Sequence, residues 1–248
     1  MTNFTARIDQ LKAIIFDFDG VLADTEPVHF RMFRQVLFEE GIELKLEDYE
    51  RRYIGLTDEA CLRAVMRAGG RSVTTDAVKR LASRKTTLTQ EALSRETVLM
   101  PGVEDFLQAA GRSYRLAIAS GALRREIEVV LEGAGLRSLF EHISSAEDVP
   151  QGKSQPDLYL HALDRLNAVE PLLASECLAI EDSGFGIAAA QGAGLRCLAV
   201  ASSLDPLCLG EADAVVVRLA ECDLSTLVRH FWPLSSTGSF PRLLSAFP

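Results

Sequence analysis

The segment Leu11–Asp24, LKAIIFDFDGVLAD, runs from an apolar stretch directly into two aspartates separated by one residue. Residues 13–16 have no alternating polar face, which is typical of a strand buried on both sides in a parallel sheet. Asp17 and Asp19 follow where that strand should end, and Gly20 permits a sharp turn. Asp and Gly are also ordinary turn residues. Because open parallel sheets bind ligands at the carboxyl ends of their strands, we expect a catalytic or metal-binding carboxylate pair.

The composition indicates an ordinary globular protein. A chain of 248 residues and 27.1 kDa fits one domain with a smaller insertion better than two equal domains. The net charge of -9 and the pI of about 5.0 disfavour nucleic acid or an anionic membrane as a partner, because both repel an acidic surface. The five cysteines are scattered, and the first residues lack a signal-peptide pattern. We therefore expect reduced thiols and a cytoplasmic protein.

After the first strand, the hydrophobic pattern of the sequence changes from that of a strand to that of helices. Helical patterns cover about 26–40, 46–53, 58–68 and 76–93, with Thr25 and Thr75 as expected caps, and no convincing buried strand interrupts them. The simplest interpretation is a helical insertion between the first strand and the rest of a sheet. We expect residues 25–95 to form a helical cap and residues 1–24 with 96–248 to form a discontinuous α/β catalytic core.

Strand and helix patterns alternate from Met100 onward. Short apolar strands are expected at 116–120, 142–144, 177–180, 196–201 and 213–217, and helices at 102–111, 123–133, 156–167 and 184–192. Repeated β-α units favour a doubly wound, parallel-sheet (Rossmann-like) core of the α/β class. The segment from Trp232 onward carries no motif, and we expect it to be loosely attached.

Several polar groups are expected to meet at one edge of this sheet. They are Asp17, Asp19, Ser120, Gly121, Lys153, Glu181 and Asp182. Each has an ordinary explanation as a helix cap, a turn residue or a surface charge. Together, however, carboxylates this close repel one another unless a cation lies between them, and oxygen ligands of this kind suit Mg²⁺. The hydroxyl, the lysine and a backbone amide at a helix start would bind the oxygens of a phosphoryl group.

Four segments carry a family resemblance: FDFDGVLADTEP, LAIASG, GKSQPD and AIEDSGFGIAAAQGAG. They resemble, in order and spacing, the four motifs of the haloacid dehalogenase superfamily. The similarity is to its phosphatase and β-phosphoglucomutase-like members, which carry a helical cap after the first motif. It covers about residues 11–220.

The resemblance implies a role for each carboxylate. Asp17 would be the nucleophile that forms an aspartyl-phosphate. Asp19 would protonate the leaving alcohol and later activate the hydrolytic water. Asp17, the backbone carbonyl of Asp19, and Asp182 would bind Mg²⁺, with Glu181 as a direct ligand or a support for the ligands.

The resemblance also assigns the phosphate-binding groups, Ser120 with Gly121 and Lys153. Lys153 would in addition offset the negative charge of the nucleophile. Ser154 stands where the third motif usually has proline, and Gly192 where the fourth usually has alanine. Neither departure removes a reactive group.

The cap decides between members of the family. A β-phosphoglucomutase holds a second phosphate with the arginine of a G-x-S-R segment, and the matching segment here ends in Asp58, which would repel a phosphate. Arg51 and Arg52 lie nearby and could compensate, so the mutase alternative stays open. Candidate specificity residues are His29, Arg51, Arg52 and Thr57.

Two further alternatives are less favoured. Phosphonate-cleaving members use a cap lysine that forms an imine, but Lys45, Lys79 and Lys85 show no setting that looks buried or activated. A receiver-type signalling domain also places an acidic pair, a phosphorylated aspartate, a hydroxyl and a lysine at strand ends, yet it needs neither a cap nor a second aspartate like Asp19.

The sequence therefore predicts a Mg²⁺-dependent phosphomonoester hydrolase that acts on a small phosphorylated metabolite, and we expect a sugar phosphate. The expected partner is that small molecule, without nucleic acid or membrane. We expect a monomer or a weak homodimer.

Overall fold

The computed structural model describes residues 10–150, 156–202 and 205–232 of the chain. Its strands are β1 (Ala13–Phe16), β2 (Arg115–Ala119), β3 (Phe140–Ser144), β4 (Cys177–Glu181), β5 (Arg196–Val200) and β6 (Ala214–Val216). They form one parallel six-stranded sheet in the order β3-β2-β1-β4-β5-β6. The strand that carries the first motif therefore lies in the interior of the sheet, between β2 and β4.

Helices connect the strands and fill the insertion. They are α1 (Glu26–Glu39), α2 (Leu46–Arg52), α3 (Asp58–Ala68), α4 (Thr75–Leu93), α5 (Val103–Ala110), α6 (Arg124–Gly133), α7 (Asp157–Asn167), α8 (Gly184–Gly192) and α9 (Leu224–Phe231). Short 3-10 turns occur at Arg137–Leu139, Ala174–Glu176, Pro206–Leu209 and Leu219–Glu221. None of the helices within the described ranges is long and apolar enough to cross a bilayer.

Apolar residues cover both faces of the sheet. Ile15 of β1 belongs to a buried cluster with Leu163 of α7 and Ile187 of α8. On the neighbouring position of the same strand, the Phe16 ring meets the Phe106 ring of α5 edge to face, with centroids 6.3 Å apart. Successive side chains of a strand point to opposite faces, so helices lie on both. The prediction of a doubly wound α/β sheet is confirmed.

The chain divides into two compact units, Met1–Asp24 with Leu99–Pro248, and Thr25–Val98. The sheet belongs to the first unit, and α1 to α4 form the second. The second unit has a hydrophobic core of its own, which includes Phe33, Leu62 and Val65. The functional division into a catalytic core and a cap stays a prediction.

Two expected helix caps differ in detail. The cap of α4 is Thr74, whose hydroxyl accepts a hydrogen bond from the Ala77 amide at 3.2 Å, so the prediction of Thr75 is wrong by one residue. Thr74 has extended backbone angles, which an N-cap residue needs, whereas Thr75 is already helical. Thr25 does precede α1, but its hydroxyl accepts no capping bond from that helix.

Trp232 is well packed, although we expected a loosely attached segment from this residue onward. Its side chain is buried, its ring lies against the Arg196 guanidinium, and its indole N–H donates to the Ser175 carbonyl at 3.1 Å. The expectation is therefore wrong at Trp232 itself, because an aromatic ring can bury its face and satisfy its one donor here. Residues 233–248 lie outside the described residues.

Candidate active site

The register of the sheet brings the ends of three strands to one level. Phe16 of β1 pairs with Ile118 of β2 on one side and with Ile180 of β4 on the other. The next residue on β1 is Asp17, whose amide donates to the Ile180 carbonyl at 2.9 Å. Residues directly after these pairs, including Glu181, therefore emerge together at the carboxyl edge, where parallel sheets bind ligands.

Three carboxylates converge at this edge. Asp17, Glu181 and Asp182 each offer an oxygen, and these oxygens lie within 4.8 Å of one another. Asp17 and Glu181 are fully buried and Asp182 is partly exposed. Buried like charges at this distance repel one another, and a divalent cation with oxygen ligands would relieve that repulsion. The three residues therefore fit a Mg²⁺ ion.

Asp19 lies in a tight loop directly after β1. Ala23 donates its amide to the Phe18 carbonyl at 3.0 Å and accepts at its own carbonyl from Gly20 at 2.8 Å. The Asp19 side chain is partly exposed and is not among the three converging carboxylates. These loop hydrogen bonds fix the backbone of Asp19 close to the carboxyl end of β1.

Gly20 brings this loop against the fourth motif. Its φ of +76° is a conformation that L side chains rarely adopt, and a Cβ built there would lie 1.9 Å from Asp182 Oδ2. Both the backbone angle and the close approach require glycine. The sequence suggested the turn, but not the contact with Asp182, because residues 20 and 182 meet only in the folded sheet.

Glu181 is surrounded by hydrogen-bond donors. Its Oε2 accepts from the Asp182 amide at 3.1 Å and from the Ser183 amide and hydroxyl at 3.4 and 3.2 Å. Its Oε1 accepts from the Tyr159 hydroxyl at 2.8 Å. Tyr159 was not among the residues selected from the sequence.

Ser120 and Gly121 follow β2 as expected. Ser120 is buried, its amide donates to the Ser144 carbonyl at 2.9 Å, and its hydroxyl accepts from the Ala122 amide at 3.2 Å. Gly121 is exposed and lies before α6. Both residues therefore lie at the carboxyl end of β2, which pairs with β1, the strand that leads to Asp17. Lys153, the last predicted phosphate-binding residue, lies outside the described residues.

The candidate specificity residues belong to the second unit. Arg51, Arg52 and Thr57 are exposed, and Thr57 caps α3 by accepting from the Ala60 amide at 3.4 Å. His29 is partly buried in its helical unit, and this burial, and secondarily the nearby Lys85 ammonium, lower its pKa to about 3. His29 is therefore neutral at physiological pH.

Lys85 corrects an expectation. The sequence showed no buried cap lysine, yet the Lys85 side chain is only 1% exposed. Its ammonium contacts Asp58 at 2.9 Å and His29 Nδ1 at 2.5 Å, and lies 4.6 Å from the centre of the Phe33 ring. The helical pattern of α4 hid this burial because a lysine at an inward position needs partners from α1 and α3, which sequence spacing does not identify.

Comparison with known proteins shows the family to which this chain belongs. Residues 11–194 match the model of the haloacid dehalogenase-like hydrolases. The chain therefore belongs to the haloacid dehalogenase-like hydrolase family, and the predicted enzyme class, a phosphatase of this superfamily, is confirmed.

Two of the relatives are named for different reactions, one as a phosphatase and one as a mutase. The chain is 33% identical over 221 residues to the phosphorylated carbohydrates phosphatase of Thermotoga maritima, covering 88% of this chain and 98% of the relative. It is 31% identical over 223 residues to the β-phosphoglucomutase of Bacillus subtilis, covering 88% of this chain and 94% of that protein. Among solved structures, CbbY of Rhodobacter sphaeroides in complex with phosphate matches with a TM-score of 0.74 and 27% identity, over 85% of this chain and 96% of that one.

Proposed function

We propose that this protein is a Mg²⁺-dependent phosphomonoester hydrolase of a small phosphorylated carbohydrate that acts through an aspartyl-phosphate on Asp17. The observation that carries the proposal is the convergence of Asp17, Glu181 and Asp182 within 4.8 Å at the carboxyl edge of the sheet. The named reactions of the phosphatase and of the mutase among its relatives both concern phosphorylated carbohydrates or sugars, which supports this substrate class.

In the proposed reaction, a carboxylate oxygen of Asp17 attacks phosphorus, and the bond from phosphorus to the substrate oxygen breaks. Asp19 donates a proton to the departing alkoxide, so the product leaves as an alcohol. A water then attacks the same phosphorus while Asp19 takes one of its protons, and phosphate is released with Asp17 restored. Bound Mg²⁺ would neutralise the charge of the phosphoryl oxygens. Asp17, Asp182 and the Asp19 carbonyl would hold it, with Glu181 as ligand or support.

The other groups have binding roles in this scheme. The Ser120 hydroxyl and the Gly121 amide would donate to the phosphoryl oxygens, and Lys153 would add a positive charge. Residues 25–95 would act as the cap that recognises the rest of the substrate. His29, Arg51, Arg52 and Thr57 are the proposed candidates for that recognition.

The mutase is the second candidate, because a β-phosphoglucomutase is among the relatives. It needs a cationic group in the cap for a second phosphate. The segment expected to supply it ends here in Asp58, which forms an ion pair with Lys85 at 2.9 Å. That pair neutralises the ammonium, and the expected phosphate-binding segment supplies a carboxylate in place of a cation, which favours hydrolysis over mutase transfer.

The test is phosphate release from a panel of sugar phosphates, phosphoglycolate and nucleotides, with and without Mg²⁺, in the wild type and in Asp17→Asn. We expect Mg²⁺-dependent release from a subset of the sugar phosphates, and loss of turnover in the folded variant. Full activity of Asp17→Asn would overturn the proposed mechanism.

The same panel separates the alternatives. Conversion of β-glucose 1-phosphate to glucose 6-phosphate in the presence of a bisphosphate primer, without phosphate release, would establish the mutase. An aspartyl-phosphate that persists for minutes without turnover would indicate a signalling switch of the receiver type.

A further inference from the structure

Tyr159 connects helix α7 to the carboxylate cluster. Its side chain is 1% exposed, and its hydroxyl donates to Glu181 Oε1 at 2.8 Å. A tyrosine hydroxyl has one proton to donate and an ionised carboxylate can only accept, so the hydrogen bond runs from Tyr159 to Glu181.

The second oxygen of Glu181 organises the loop that carries Asp182. Oε2 accepts from the amides of Asp182 and Ser183 and from the Ser183 hydroxyl. That hydroxyl in turn accepts from the Gly186 amide at 3.2 Å and so caps α8. The orientation of one carboxylate thus determines the backbone path at Asp182 and the start of the following helix.

The Glu181 carboxylate packs directly against Gly186 of α8. A Cβ built at Gly186 would lie 2.0 Å from the Glu181 carboxylate, so the carboxylate occupies the space that a side chain would need. On its other side the carboxylate meets the Tyr159 hydroxyl. Glu181 is therefore held between the glycine of α8 and the tyrosine of α7.

We infer that Tyr159 is a positioning residue of the metal site: its hydroxyl fixes Glu181, and Glu181 fixes the backbone that presents Asp182. This inference rests on the proposed Mg²⁺ site at Asp17, Glu181 and Asp182. Groups that hydrogen-bond to the residues of a metal site orient them, and their loss typically lowers metal affinity by roughly 10-fold to 100-fold. A phenylalanine at this position would fill the same space without the donor.

The test is a calorimetric titration of the metal-free protein with Mg²⁺ alone, well below the unfolding temperature. We expect Tyr159→Phe to raise the Mg²⁺ dissociation constant by about 10-fold while the protein stays folded. Tyr114→Phe is the matched control, because Tyr114 is a partly exposed tyrosine of the same unit that directly precedes β2, at the amino end of that strand. The carboxylates lie at the opposite edge of the parallel sheet, so this variant should leave the dissociation constant unchanged.

A second control separates positioning from stability. Leu163 lies on the same helix as Tyr159 and belongs to the same buried cluster, so Leu163→Ala should destabilise α7 without removing a donor to Glu181. We expect it to lower the unfolding temperature with little change in Mg²⁺ affinity. An equal loss of affinity in Leu163→Ala and Tyr159→Phe would reduce Tyr159 to an ordinary core residue.

A double-mutant cycle tests the route through Glu181. If the hydroxyl acts on the metal through this carboxylate, Tyr159→Phe should lower affinity much less in a Glu181→Ala background, which has no acceptor for the hydroxyl, than in the wild type. Additive effects, or wild-type affinity in Tyr159→Phe, would overturn the inference while leaving the proposed function intact. Absence of Mg²⁺ binding by the wild type would instead overturn the proposed metal site itself.

Discussion

Gly20 shows how a single residue sets the geometry of the carboxylate edge. Its positive φ turns the chain after β1. Because it has no side chain, Asp182 Oδ2 can lie close to it, only 1.9 Å from the position that a Cβ would occupy. Any other residue must displace the Asp182 carboxylate or the loop. The consequence is chemical, because the displaced group is a proposed metal ligand.

We therefore expect Gly20→Ala to lower kcat/KM for phosphate release by about 100-fold, since small misplacements of reacting groups cost about that much. The measurement is steady-state phosphate release at several Mg²⁺ concentrations.

Gly135→Ala provides the matched control for Gly20→Ala. Gly135 has a similar φ of +71°, yet nothing lies within 4 Å of a Cβ built there. It should suffer the same backbone strain and lose stability, but keep its activity. Equal activity losses in the two variants would mean that strain, and not the approach to Asp182, limits position 20.

At the scale of elements, the edge strand β3 and helix α7 share a histidine pair. The rings of His142 and His161 are 5.3 Å apart, and His161 Nδ1 lies 3.0 Å from the Ser144 hydroxyl. Burial, and then the positive charges of His161, Arg165 and Arg124, lower the pKa of His142 to about 4, with Asp148 opposing them. The folded protein thus binds a proton at His142 less readily than the unfolded chain does.

This shift predicts a pH-dependent stability. Because the folded pKa of His142 lies below the unfolded value of 6.5, acidification between pH 6.5 and 4 protonates the unfolded chain first and lowers the free energy of unfolding. His142→Gln should make that loss of stability smaller, as measured by urea unfolding at pH 7 and pH 4. His29, with its pKa of about 3, acts in the same direction, so the free energy of unfolding of the variant should still fall on acidification. An equally large fall in the variant and in the wild type would contradict the role of His142.

The helices of the second unit contain a partly buried ion pair. Lys85 of α4 is 1% exposed, whereas Asp58 at the start of α3 is 31% exposed, and the two groups are 2.9 Å apart. The ammonium is therefore the group that cannot recover its hydration if the pair is broken. Replacing Asp58 and replacing Lys85 should therefore lower the free energy of unfolding by different amounts.

Asp58→Ala should lower the free energy of unfolding by about 3 kcal/mol, because it leaves the Lys85 ammonium buried without its carboxylate. Lys85→Met should cost less, since methionine fills the space beside Phe33 and the aspartate stays hydrated. Urea unfolding of both variants and of the double variant provides the measurement. A double variant less stable than Asp58→Ala would contradict this explanation.

For the whole molecule, the proposed metal site links stability to Mg²⁺. A ligand that binds the folded state alone stabilises it, by about 2.7 kcal/mol at a concentration 100 times its dissociation constant. Unfolding in urea at increasing Mg²⁺, with NaCl to hold the ionic strength, should show this rise in the wild type. Asp182→Asn should largely abolish it, and an identical rise in that variant would place the ion elsewhere.

Much of the fold could be predicted because its signals are local. Apolar runs without alternation identified β1, β2, β4 and β5, and the predicted bounds of α1 to α8 lie within one or two residues of the observed ends, whereas α9 was not predicted. The meeting of the carboxylates at one edge of the sheet could be predicted because parallel strands align their carboxyl ends. The catalytic roles of Asp17, Asp19, Ser120 and Lys153, the cap function of 25–95, and the cytoplasmic location stay predictions.

The sequence by itself determined the strand–aspartate segment, the repeated β-α units and the order of the family's motifs, because each depends on residues close together in the chain. The tertiary structure decided the contacts between distant segments. They are the approach of Gly20 to Asp182, the partners of Lys85, and the hydrogen bond from Tyr159 to Glu181. The reason is physical: a buried polar group is stable only where partners meet it, and those partners come from elements that folding, not sequence spacing, brings together.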